Sequence, residues 1–146
     1  MIRAQHPANT SQAVQPHKRR SPWGTGGVVF VAAVITDLVI FGVAELAGAD
    51  MVVTPRGGRT MTIGVGMIVG ALFVAIAIAT VALVLLAGRG QSFRRLLATG
   101  GLALSLLSIV LVLAAGATVE TKTALASMHI VTGLIWFVAL WRPRTV

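Results

Sequence analysis

No cysteine occurs among the 146 residues, and only four side chains are acidic. The first absence excludes disulfides, thiolate metal sites and cysteine nucleophiles. Charged residues amount to 11% of the chain against 56% apolar ones, and the mean hydropathy is +0.90. That balance lies outside the soluble globular range, so the bilayer is the solvent to reason from. The short patterns of enzyme chemistry are missing as well. There is no HExxH, no GxSxG and no pair of carboxylates deep inside an apolar run, and His129 is the only histidine within one. Ser127 and Thr132 lie close to His129 in sequence, but as ordinary helix residues rather than a nucleophile arrangement. The glycines of GRGQSFRR, residues 88–95, do not make a phosphate loop, because its lysine and Ser/Thr are absent. No basic stripe with interleaved aromatics is present, which argues against nucleic acid as a partner. The expectation is a protein that is not an enzyme and takes no cofactor and no metal.

What the chain does have is four long apolar runs, at about residues 26–47, 62–87, 96–115 and 123–141. Roughly 20 apolar residues cross a hydrocarbon core about 30 Å thick. The connections are short, which makes neighbouring spans antiparallel. The fold class expected is therefore all-α, an integral membrane four-helix antiparallel bundle. Residues 1–22, with Pro7, Pro16 and Pro22 among Gln, Ser, Asn and Thr, read as a disordered basic tail ahead of a membrane domain over 23–146. The polar lead and the first apolar run are both too long for a secretory signal. Between the first two spans, Met51 to Thr54 and Arg59 to Thr62 flank a Pro55 to Gly58 turn signal. They read as a short hairpin on the membrane surface or as a plain connecting loop.

Basic residues set the orientation. Nine Lys and Arg fall in the tail, the second connection and the C-terminal end, against three in the first and third connections. This places both termini in the cytoplasm. Lys18, Arg19, Arg20 and Trp23 before the first span, Arg94 and Arg95 before the third, and Trp141 and Arg142 after the fourth are expected to anchor at anionic lipid headgroups. Trp136 and Trp141 close the last span.

Apolar side chains do not drive helix association in lipid as they do in water, so small residues and interhelical hydrogen bonds gain weight. Gly66 and Gly70 are spaced by four in the second span, as are Ala71, Ala75 and Ala79. These strips fit packing against the first or third span, or a homo-oligomer or partner face. Ser105 and Ser108 are expected to bond within their own helix.

Asp37 differs in kind, because a carboxyl near the middle of a span needs a partner, a proton or water. At 1.5 Å per residue it lies roughly 16 Å from the cytoplasmic end of its span, and His129 roughly 18 to 21 Å. The two are expected to face each other or share a water in the bundle interior, as a register-fixing pair or as a proton site. The remaining option is a protonated Asp37 bonded to a backbone carbonyl or to Thr36. Glu45, eight positions on, falls within about 80° of the same helix face and is a candidate outer mouth of an acidic path.

The segments AELAGADMVVTPRGG, SFRR before ALSLLSIVLVLAAG, and TALASMHIVTGLI together resemble an actinobacterial family of small four-helix membrane proteins of unknown function. The resemblance runs from Gly26 to Trp141 and is most specific at Ser127, Met128 and His129. It implies an architecture and an inner-membrane location, and brings no substrate or reaction with it. The functional expectation is a structural or accessory role through helix packing with itself or another membrane protein. The alternative is a small proton- or cation-coupled transporter using Asp37 and His129.

Overall fold

The computed structural model describes residues 21–141. Helices α1 (Pro22–Leu46), α2 (Val65–Leu85), α3 (Gly90–Ala114) and α4 (Val119–Trp141) account for most of them. Each is long and apolar enough to cross a membrane. The protein is an all-α, multi-pass membrane bundle. Lys18, Arg19, Arg20 and Arg142, with nearly all of the expected tail, lie outside the described residues.

Local chemistry moves several helix ends from where hydropathy alone puts them. Helix α1 starts at Pro22 because the Ser21 hydroxyl accepts a hydrogen bond from the Gly24 amide at 3.1 Å, with proline at the first helical position. Helix α2 starts later than expected, since Met61–Thr62 is spent as strand β2 pairing antiparallel with β1, Val52–Val53. The hairpin is thus real, and Thr54 extends it by bridging to Gly116 in the α3–α4 connection. The basic connection 88–95, which the apolar runs leave as a turn between the second and third spans, is mostly helical: Gly90, at φ 82°, redirects the chain after a single 3₁₀ turn, and residues from Gly90 onward belong to α3.

Helix α3 fully buries only Ala98, whereas α1, α2 and α4 each bury one stripe. On α1 it is Gly26, Val29, Ala33, Asp37, Phe41 and Ala44, at steps of three and four. The opposite face is just as apolar, and Val28, Val31, Ile35, Val39 and Val43 are each more than half exposed. In a bilayer those side chains meet lipid.

Three glycines bring the helices together. A Cβ on Gly26 would lie 2.2 Å from the Thr80 hydroxyl oxygen, one on Gly101 2.5 Å from the Trp136 ring, and one on Gly133 2.8 Å from Ser105. Gly66 and Gly70 are not among them, for a Cβ on either meets nothing within 4 Å. The small-residue strip on α2 therefore does not carry the packing inside this chain, and Ala71 and Ala75 beside it are exposed.

The α3–α4 hairpin is clasped at both ends by basic side chains. Arg94, near the start of α3, donates to the carbonyls of Leu140 and Ala139 at the end of α4, at 3.0 and 3.1 Å. Lys122, near the start of α4, donates to the Leu113 carbonyl at the end of α3, at 3.1 Å. Both cations meet carbonyls in the last turn of the neighbouring helix, at the negative end of its dipole. Arg94 is thus a helix cap more than a headgroup anchor. Arg95 sits over the Trp141 ring at 5.4 Å, and Trp23 is exposed at the head of α1.

Helix α1 packs on α2 and on α4, and α4 packs on α3. Helices α2 and α3, though consecutive, barely touch beyond their connection. One side of the bundle is open.

Candidate functional site

The open side forms a cleft of about 410 Å³, walled by Ala71, Ala75 and Ala79 of α2 and by Gly101, Leu104, Ser105 and Ser108 of α3. Its floor carries Asp37 of α1 and Met128, His129, Thr132 and Trp136 of α4. The volume falls within the roughly 300–1,000 Å³ typical of small-molecule sites, and such sites are mostly apolar with a few convergent polar groups.

Asp37 is only 3% exposed. Its Oδ2 accepts a hydrogen bond from the Thr132 hydroxyl at 3.1 Å, and its Oδ1 is buried with no partner. The expected meeting of Asp37 and His129 therefore takes a different form. Both line the cleft within electrostatic reach of each other, but the direct partner is Thr132. Thr36 takes no part, since its hydroxyl donates back to the Ala32 carbonyl at 2.8 Å. The His129 Nδ1 lies 2.7 Å from the Leu125 carbonyl. A carbonyl only accepts, so Nδ1 carries the hydrogen and Nε2 of the neutral ring keeps its lone pair.

The two serines split. Ser108 bonds within its own helix, to the Leu104 carbonyl at 2.9 Å, whereas Ser105 reaches across to the His129 carbonyl. Glu45 is exposed near the end of α1 and does not line the cleft, so the acidic line from Glu45 to Asp37 is broken. Trp136 is buried rather than interfacial, with its Nε1 donating to the Leu97 carbonyl at 3.0 Å. His129, Thr132, Gly133 and Trp136 lie at steps of three, four and seven, one face of α4. That spacing was readable in the sequence, but three of the four residues look like ordinary span residues without their neighbours. Among the described residues no three His, Cys, Asp or Glu side chains come together as metal ligands.

A second polar cluster lies at the end where α1 finishes and α4 begins. Asp50 Oδ1 accepts from the Val52 amide at 3.2 Å, from the Thr121 hydroxyl at 2.9 Å and from the Thr118 hydroxyl at 3.4 Å. These donors, Val52 and Thr121 foremost, hold the Asp50 carboxyl below the usual carboxylate range. The Thr121 oxygen also accepts the amide of Met51, a residue at φ 50° and 1% exposed. The left-handed region is uncommon for a side chain of that size, so this bond fixes a demanding turn.

The chain belongs to a family of unknown function, DUF6069, whose family model matches residues 17–146. No curated protein and no solved structure matches it.

Proposed function

We propose that this protein is a non-enzymatic accessory component of a membrane, holding another membrane-embedded molecule against its open side. The observation that carries this is the cleft itself: α2 and α3 leave it uncovered, and a buried carboxylate oxygen without a partner lies at its floor. Gly66 and Gly70, on the adjoining face of α2, leave room for whatever lies beside the filled cleft, whether a second copy or another membrane protein. The charge count supports an orientation with both termini and their basic residues on the cytoplasmic side facing anionic lipid, and the family resemblance is what points to the plasma membrane of an actinobacterial host. A reporter at either terminus that reads extracytoplasmic would refute that orientation.

Ala75→Phe tests the reading, because Ala75 is exposed on the cleft wall and the larger ring fills the space. The wild-type protein, gently extracted from its membrane, is expected to retain a protein or lipid component that the variant loses, as read by mass spectrometry. Identical recoveries from the two proteins would sink the reading.

Proton or cation transport is the second reading, favoured by Asp37 and His129 lining one cleft. It requires that liposomes with the wild-type protein show proton flux that Asp37→Asn abolishes. Flux no greater than in protein-free liposomes removes it.

A further inference from the structure

The polar groups on the cleft share one property: their hydrogens are already used within the protein. The Thr132 hydroxyl donates to Asp37, Ser105 to the His129 carbonyl and Ser108 to the Leu104 carbonyl, while His129 Nδ1–H is held by the Leu125 carbonyl. What remains open is acceptor capacity. Asp37 Oδ1 has no partner, Nε2 carries a lone pair in the neutral form of the His129 ring, and each hydroxyl oxygen can still accept. A ligand that fits this site has to bring donors, and a positive charge suits the buried carboxylate beside them. The walls, by contrast, are mostly apolar, with Ala71, Ala75 and Ala79 of α2 beside Met67, Leu72 and Ile76, and they suit a hydrocarbon body.

We infer that the cleft binds a cationic amphiphile, with a primary ammonium head seated between Asp37 Oδ1 and His129 Nε2 and an apolar chain lying along Ala71, Ala75 and Leu104. The head supplies three donors and one charge, and the open side between α2 and α3 lets the molecule enter laterally from the bilayer. The helices of a second copy do not meet the requirement. Helices α1 and α2 contain no Lys or Arg, and those of α3 and α4 lie near the helix ends, where Arg94 and Lys122 hold carbonyls. The cleft volume of about 410 Å³ also suits a small molecule better than a whole transmembrane helix. The inference rests on the accessory reading above and names what the cleft holds.

The test uses the full chain in phosphatidylcholine nanodiscs, titrated with decylamine, decanol and decanoate. Trp136 on the cleft floor provides a fluorescence signal. Partitioning into the disc is common to all variants, so preferences are compared between them. Decylamine is expected to titrate at a concentration about tenfold below either of the other probes, the equivalent of one charge-assisted hydrogen bond. Asp37→Asn, a near-isosteric change, is expected to remove that preference. Ala75→Phe should weaken all three probes together.

Equal binding of the three probes by the wild-type protein overturns the inference, and so does an amine preference that survives in Asp37→Asn. Should that variant fail to fold, as read by helical circular dichroism, the wild-type comparison decides alone. If Ala75→Phe strips a protein or lipid from the extracted material yet no headgroup preference exists, the cleft serves another occupant. The accessory reading then stands and the amphiphile falls. If neither residue 37 nor residue 75 matters in either experiment, both fall.

Discussion

Gly101→Val is expected to lower the stability of the folded protein by about 3 kcal/mol, while Gly70→Val leaves it within about 0.5 kcal/mol of wild type. The two glycines look alike in sequence, each within an apolar span. At Gly101 a Cβ would lie 2.5 Å from both Cδ1 and Nε1 of Trp136, which is tighter than any relaxed contact. The indole cannot give way cheaply. It is 6% exposed, and its Nε1 is committed to the Leu97 carbonyl. Moving it forfeits that bond and opens the α3–α4 contact around Gly133 and Ser105. Overpacking of a filled site costs about 1–3 kcal/mol, and the lost hydrogen bond about 1 more. At Gly70 an added side chain meets nothing within 4 Å. Reversible unfolding in mixed micelles with rising sodium dodecyl sulfate measures both variants. Equal midpoints for the two would show that Trp136 does not sit where the close approach demands it.

Thr121→Val is expected to cost about 2 kcal/mol although it preserves shape and volume. Thr121 is fully buried, and its oxygen accepts from the Met51 amide and donates to Asp50, with the Thr118 hydroxyl beside it at 3.0 Å. Valine leaves the Met51 amide, itself in a 1% exposed residue, without an acceptor. It also removes one of the donors that hold the Asp50 carboxyl low. The pH dependence follows from the sign of that shift. A carboxyl whose folded pKa lies below its unfolded value contributes stability that is present above the ordinary carboxylate pKa of about 3.9. That contribution is lost as pH falls through the lowered folded value. The wild-type thermal midpoint should therefore fall on acidification below about pH 4, and Thr121→Val should flatten this dependence. A variant with an unchanged midpoint at neutral pH and an unchanged acid slope would show that the cluster around Asp50 carries no stability.

Asp37 stood out in the sequence because a carboxyl in a lipid-facing run needs an explanation, and its place on the cleft floor with His129 follows from two depths counted along two helices. Thr132 did not stand out, since a threonine in a span can satisfy itself on its own helix and commonly does. Which of the two readings of Gly66 and Gly70 applies inside this chain was hidden for a related reason. Spacing by four marks a smooth strip but not which side of the helix it lies on, and Gly66 and Gly70 lie on the side that faces away from the other helices. Arg94 resembled a headgroup anchor by position, and only the antiparallel pairing of α3 with α4 brings it under the carbonyls at the far end of the neighbouring helix.

The number of spans, their antiparallel order and the membrane as solvent were determined by the sequence alone, because bilayer thickness converts apolar length directly into crossings. Which face of each helix turns inward was left to the tertiary structure. In water an amphipathic pattern marks that face, but here lipid-facing and protein-facing positions are equally apolar. So only the packing of α1 against α2 and α4, with α3 held on the far side of α4, decided that the bundle stays open between α2 and α3 and that Asp37 lies at the floor of the opening.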